Sequence, residues 1–84
     1  MSSNDILPEP ELIMGTYKHY KGNLYEVTGL ACHSETHEWL VICNTVYNHA
    51  GMPDIWLRPY DMFTESVHFN NELRPRFELV DKRQ

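Results

Sequence analysis

Several things are missing from this chain, and each absence removes a class of protein. There is no apolar run of about 18 residues, so no helical membrane span is expected. The opening MSSNDILPEPEL lacks the basic start and apolar centre of a secretory signal, and a cytoplasmic protein is expected. Basic residues are scarce, 7 against 12 acidic ones for a net charge of −5. Too few Lys and Arg are present to neutralise a phosphate backbone broadly, so nucleic acid is not expected as a partner. The glycines are too scattered to form a phosphate-cradling loop. Cysteine occurs only twice, at Cys32 and Cys43, inside apolar stretches rather than at the paired short spacings of a zinc knuckle. Both read as buried thiols in a reducing compartment. Also absent is any stretch of about ten residues with apolar spacing near 3.6, which excludes a stable long helix.

What remains is a chain of 84 residues, 42% hydrophobic and 12% aromatic, which is ordinary globular usage. A domain of this size buries roughly 60 to 65% of the surface its unfolded chain exposes. One domain is therefore expected over residues 15–80, preceded by an arm over 1–14 and followed by a solvated tail over 81–84. Pro8 and Pro10 keep the arm out of helix, and Leu12, Ile13 and Met14 pin its end to the body.

After Gly15, the residues Tyr17, His19 and Lys21 alternate with Lys18 and Tyr20 until Gly22 and Asn23 mark a turn. LYEVTGLAC is a second strand, and Gly29 within it marks a bulge where the facing of side chains shifts. The polar stretch from His33 to His37 is a loop. A hairpin centred on Glu35 and Thr36 puts Cys32 opposite Trp39 rather than Cys43, which disfavours a disulfide. EWLVICNTVY is apolar on both alternating faces, as in a central strand covered on both sides. Asn48 to Asp54 form a connection. A strand through Ile55 to Arg58 then stops at Pro59, and Tyr60 to Phe63 fit one helical turn. A last hairpin runs from Ser66 to Phe69, turns at Asn70, Asn71 and Glu72, and returns as one strand through Arg76 to Val80. Pro75 marks an edge or bulge in it.

The expected fold is all-β: a small SH3-like barrel of roughly five or six short antiparallel strands with an N-terminal arm. Its expected core is Tyr25, Val27, Leu30, Val41, Cys43, Trp56, Leu57, Met62, Phe63, Phe77 and Leu79.

GTYKHYKGNLYEV, then HSET followed by LV, then WLRPYDMF and finally PRFE together resemble the DUF1653 family, small stand-alone bacterial or phage proteins. The likeness runs from about Gly15 to Leu79, with its motifs in order. It implies no activity, since the family carries none that is established. It marks His19, Lys21, Gly22, Tyr25, His33, Ser34, Glu35, Trp56, Arg58, Pro59, Met62, Phe63, Arg76 and Phe77. This chain departs from the family pattern at Cys32 and around NHAGMPD.

Read as chemistry, His19, His33 and Glu35 are candidates for a polar cluster at the barrel mouth, where a carboxylate fixes an imidazole tautomer. Turn capping by the His33, Ser34 and Glu35 groups is the structural alternative. His33 and His37 sit on a loop without a third ligand, so no metal or other cofactor is expected. Trp56 and Arg58, two apart on one strand, share a face. There the guanidinium meets an aromatic plane or a carboxylate such as Asp61 or Glu65.

The residues favour a non-catalytic module that recognises a peptide or small polar ligand through His19, Lys21, His33, Ser34, Glu35, Trp56 and Arg58. It is expected as a monomer or weak homodimer. A second reading is a small hydrolase or metal-assisted enzyme using His19, His33 and Glu35. No activated nucleophile stands out for it, and no glycine elbow surrounds Ser34. A third is single-stranded RNA binding on an aromatic face carrying Tyr17, Tyr20, Tyr47 and Tyr60.

Overall fold

Alternation with a period of two puts Tyr25 with Val27, Val41 with Cys43, and Trp56 with Arg58 on one side of their strands. The computed structural model, which describes residues 7–46 and 51–83, folds these sides together. Its elements are β1 (Gly15–His19), β2 (Leu24–Cys32), β3 (Trp39–Thr45), β4 (Ile55–Pro59), α1 (Tyr60–Phe63), β5 (Ser66–Phe69), β6 (Glu72–Pro75) and β7 (Phe77–Lys82). Tyr47, and the loop expected from Asn48 onward as far as Ala50, lie outside the described residues, as do the first six residues of the arm.

The all-β class holds, but the expected closed barrel does not. Five strands form an open antiparallel sheet in the order β4-β3-β2-β1-β7, and β5 pairs with β6 as a separate ribbon. Among the described residues no pairing joins the edges β4 and β7. The reason lies at Arg76, where the single return strand expected from the sequence is split. Its backbone N–H donates to Glu65 O and its carbonyl accepts from the Tyr20 N–H, so this residue leaves one ladder and enters another. Pro75, which has no N–H to donate, ends β6 opposite Ser66. The Asn70 and Asn71 turn between β5 and β6 has both residues at positive φ, 55° and 64°. That is the two-residue turn whose twist suits a hairpin. Glu72 belongs to the strand rather than to the turn.

The bulge arises where the sequence placed it. The register of β2 with β3 shifts between Val27 and Gly29. After the shift Leu30 faces Val41, as Val27 faces Cys43 before it. Cys32 pairs with Trp39 as expected, and both cysteines are free thiols. At the other edge Gly15 pairs with Lys82. A β-carbon there would lie 2.3 Å from the Asp81 carbonyl oxygen and 2.9 Å from the Arg83 nitrogen, so only glycine lets β1 and β7 approach. β7 thus continues two residues into the stretch read as tail.

The core is Tyr17, Val27, Val41, Cys43, Phe63 and Phe77, with Leu12, Met14, Tyr25, Leu30, Trp56, Tyr60 and Leu79 packed around it. Phe63 of α1 stacks on Phe77 at 4.2 Å and 10°, and Tyr17 meets Phe63 edge-on at 5.1 Å. Burying one large apolar side chain of this kind contributes about 1.5 to 3 kcal/mol, so this short turn is held by packing rather than by its own hydrogen bonds. Two expected core residues are instead exposed, Leu57 at 55% and Met62 at 47%. Leu57 lies between Trp56 and Arg58 on β4, and strand alternation turns it outward once those two face in. Met62 precedes the inward Phe63 on a single turn.

The arm crosses the structure as an extended strap. Its carbonyls accept from aromatic donors: Leu7 from Trp39 Nε1–H at 3.0 Å, Glu11 from Tyr60 O–H at 3.0 Å, and Ile13 from Tyr17 O–H at 2.6 Å. The Arg83 N–H donates to the Met14 carbonyl.

Candidate functional site

The histidine cluster expected at a barrel mouth is not assembled. His19 closes β1 beside the β1–β2 turn, where its N–H donates to Asn23 O. His33 follows the opposite end of β2, a strand of nine residues, or roughly 30 Å at the usual rise. There the His33 Nδ1 accepts from the Glu35 and Thr36 N–H groups at 3.0 and 3.1 Å. The imidazole therefore caps the turn, and Glu35 contributes its backbone rather than its carboxylate. Ser34 and Glu35 are exposed. No group of three or more metal-capable side chains occurs among the described residues.

His19 belongs to a different neighbourhood. Its Nδ1 accepts from the Lys21 N–H at 3.1 Å, so a neutral ring carries its proton on Nε2. Phe77 and Tyr20 pack on it at 4.9 and 4.5 Å. Burial first, and then the positive charges of Arg58, Arg76 and Lys21, hold its pKa below the usual value. Lys21 itself is exposed, with Nζ 5.8 Å from the Tyr20 ring.

Trp56 and Arg58 do come together, two residues apart on the inward side of β4. They face Cys43 and Val41 of β3 and line a cleft of about 220 Å³ with Asn23, Leu24, Tyr25, Thr45, Met52 and Pro53. The Arg58 guanidinium sits over the Tyr25 ring at 5.3 Å and the Phe77 ring at 5.0 Å, arrangements that favour a cation. Neither carboxylate expected to meet it does so: Asp61 is exposed on α1, and Glu65 is paired with Arg76, whose Nε donates at 3.0 Å. Among the described residues Arg58 has no acidic partner. Its Nε–H and the Trp56 Nε1–H are both buried without an oxygen or nitrogen acceptor. Cys43 lies beside them. Burial pushes its thiol up, while the Arg58 charge and then a weak hydrogen bond between the guanidinium and the sulfur oppose that shift, and its S–H points at the Trp56 carbonyl at 3.8 Å.

Asn23, Tyr25 and Thr45 are cleft residues that sequence reasoning left out of the site. The signal was present in part, because Tyr25 alternates inward with Val27. Its pairing with Thr45 needed the position of the bulge. The tyrosines expected on one aromatic face are dispersed: Tyr17 is in the core, Tyr20 packs on Phe69 at 5.4 Å, and Tyr60 holds the arm.

These features define a class: small all-β domains with an open five-stranded sheet and a cleft built on one arginine between aromatic rings. The chain belongs to the DUF1653 family of proteins of unknown function, whose model matches residues 15–79. It is similar to a crystal structure of a DUF1653 protein from Bordetella bronchiseptica, at 36% sequence identity and a TM-score of 0.76, covering 83% of this chain and 88% of that one. No curated protein matches it.

Proposed function

We propose that the chain is a non-catalytic binding module that recognises a peptide or small polar ligand in the cleft at Trp56 and Arg58. One observation carries this reading. Two N–H donors are buried on the same strand face with no oxygen or nitrogen acceptor, the nearby Cys43 sulfur being a weak one, and an unmade hydrogen bond of this kind costs about 1 to 3 kcal/mol. A ligand offering acceptors supplies what is missing. The site moves away from the exposed loop of His33, Ser34 and Glu35, and His19 reaches it only through Phe77, the ring that both it and Arg58 meet.

The hydrolase reading loses its assembled acid–base pair, and the buried, raised Cys43 thiol makes a poor nucleophile. Dispersal of the tyrosines argues against RNA stacking. No helix among the described residues is long and apolar enough to cross a membrane. A cytoplasmic location and a monomer or weak homodimer complete the proposal. The bent β2 and the single turn before the last hairpin support an SH3-like description of the open sheet.

The test is a fragment screen by ¹H–¹⁵N NMR on the labelled chain, using small acceptor-bearing molecules and short peptides. Binding is expected to move the Trp56 indole and Arg58 Nε–H resonances together and saturably. A library that leaves both in place refutes the assignment.

A further inference from the structure

Resting on the reading that this cleft binds a ligand, we infer that the ligand presents a carboxylate on a body of amino-acid size, seated on Arg58 and Trp56. The chemistry of the lining selects the group. Arg58 is the only charged side chain among the described residues that line the cleft, and both unsatisfied atoms are donors, so the missing partner is an acceptor and carries negative charge. The chain has 12 acidic residues, yet none of those described pairs with Arg58, and Glu65 is taken by Arg76. A half-buried guanidinium without a counter-ion is unfavourable, and a bound carboxylate restores the balance one to one.

Geometry adds to charge. Tyr25 and Phe77 lie against the guanidinium and fix its planar fork, which matches a carboxylate through two parallel bonds. A phosphate dianion fits less well. Among the described residues the cleft lining carries a single positive charge and includes neither a glycine-rich loop nor a helix N-terminus to supply further donors. Size narrows the body. The cleft, at about 220 Å³, falls below the roughly 300 to 1,000 Å³ of sites for drug-sized ligands. Leu24, Met52 and Pro53 offer an apolar wall for a small aliphatic group, while Asn23 and Thr45 offer polar contacts to an amide. A free carboxylic acid and the C-terminal residue of a peptide share this chemistry.

The experiment titrates the full chain with N-acetylalanine, N-acetylvaline and N-acetylleucine, with their carboxamides, and with inorganic phosphate, following the Trp56 indole and Arg58 Nε–H signals. The acids are expected to bind at least about tenfold more tightly than the amides, the factor that a charge-assisted bond adds. Amides or phosphate binding as well as the acids would overturn the carboxylate while leaving the cleft a binding site. Silence from every probe overturns both readings. Peptides ending in the same residue then separate the sources: affinity about tenfold above the acetylated acid marks a peptide C-terminus, and equal affinity marks a free acid. Arg58→Lys keeps the charge without the fork, so its affinity for the acids is expected to fall about tenfold. Its amide spectrum reports whether the sheet is intact.

Discussion

His19 and His33 share a residue type and a place at a strand end, yet the fold gives them opposite duties. His33 uses Nδ1 to cap two backbone donors on a loop. His19 is pressed between Tyr20 and Phe77 with three cationic side chains acting on it, and its pKa lies below the ordinary 6.5. The sign of the resulting pH dependence follows directly. The unfolded chain binds the proton more readily than the folded one, so His19 contributes full stability above about pH 6.5 and loses it as pH falls toward the folded value. Urea midpoints measured from pH 8 down to pH 5 should fall along this limb in the native chain. His19→Gln should show a shallower fall over the same window, whatever its absolute stability. Equal slopes would mean that His19 titrates as a solvent-exposed ring.

At the scale of elements, the arm shows how far local sequence carries. Its extended character follows from Pro8 and Pro10, and its anchoring end was legible in Leu12 and Met14, whereas the Ile13 side chain expected beside them is exposed and only its carbonyl holds the arm. The Trp39 and Tyr60 contacts that hold it span 32 and 49 residues of chain, and no local pattern encodes them. Removing both donors, with Tyr60→Phe taking away a hydroxyl alone and Trp39→Phe also trimming the indole, should loosen the strap and spare the sheet. Each neutral bond is worth about 1 kcal/mol. Limited proteolysis should therefore cut faster between Leu7 and Ile13 while the body from Gly15 onward resists as before. The same contrast separates the hairpins. The register of Cys32 with Trp39 was readable because a short polar loop defines its own centre, and the Asn70–Asn71 turn because asparagine tolerates left-handed backbone. The division of the last strand at Arg76 was not, since it depends on two main-chain bonds to Glu65 and Tyr20.

At the scale of the molecule, period-two alternation identified the strands and most of the core, but it does not say which side of a sheet is covered. That ambiguity produced the expectation of a closed barrel and hid the cleft, because convergence of Tyr25, Thr45, Trp56 and Arg58 requires strand order as well as facing. It also bears on β3, whose two apolar faces suggested cover on both sides. In the fold only the side carrying Val41 and Cys43 is buried. The other side carries Leu40 and Ile42, and Ile42 pairs with Leu57, while Asn44 pairs with Ile55. Ile55 and Leu57 are 61% and 55% exposed on an edge strand, and an uncovered apolar edge invites pairing between chains unless charge or proline blunts it. Pro59 ends β4, but no charged side chain projects from this outward row. A lysine there supplies the protection without touching the core. Leu57→Lys should leave the unfolding free energy within about 0.5 kcal/mol of the native value and should raise the concentration at which light scattering detects aggregation. A loss of several kcal/mol would instead mean that Leu57 is covered, and that this face of the sheet belongs to the interior.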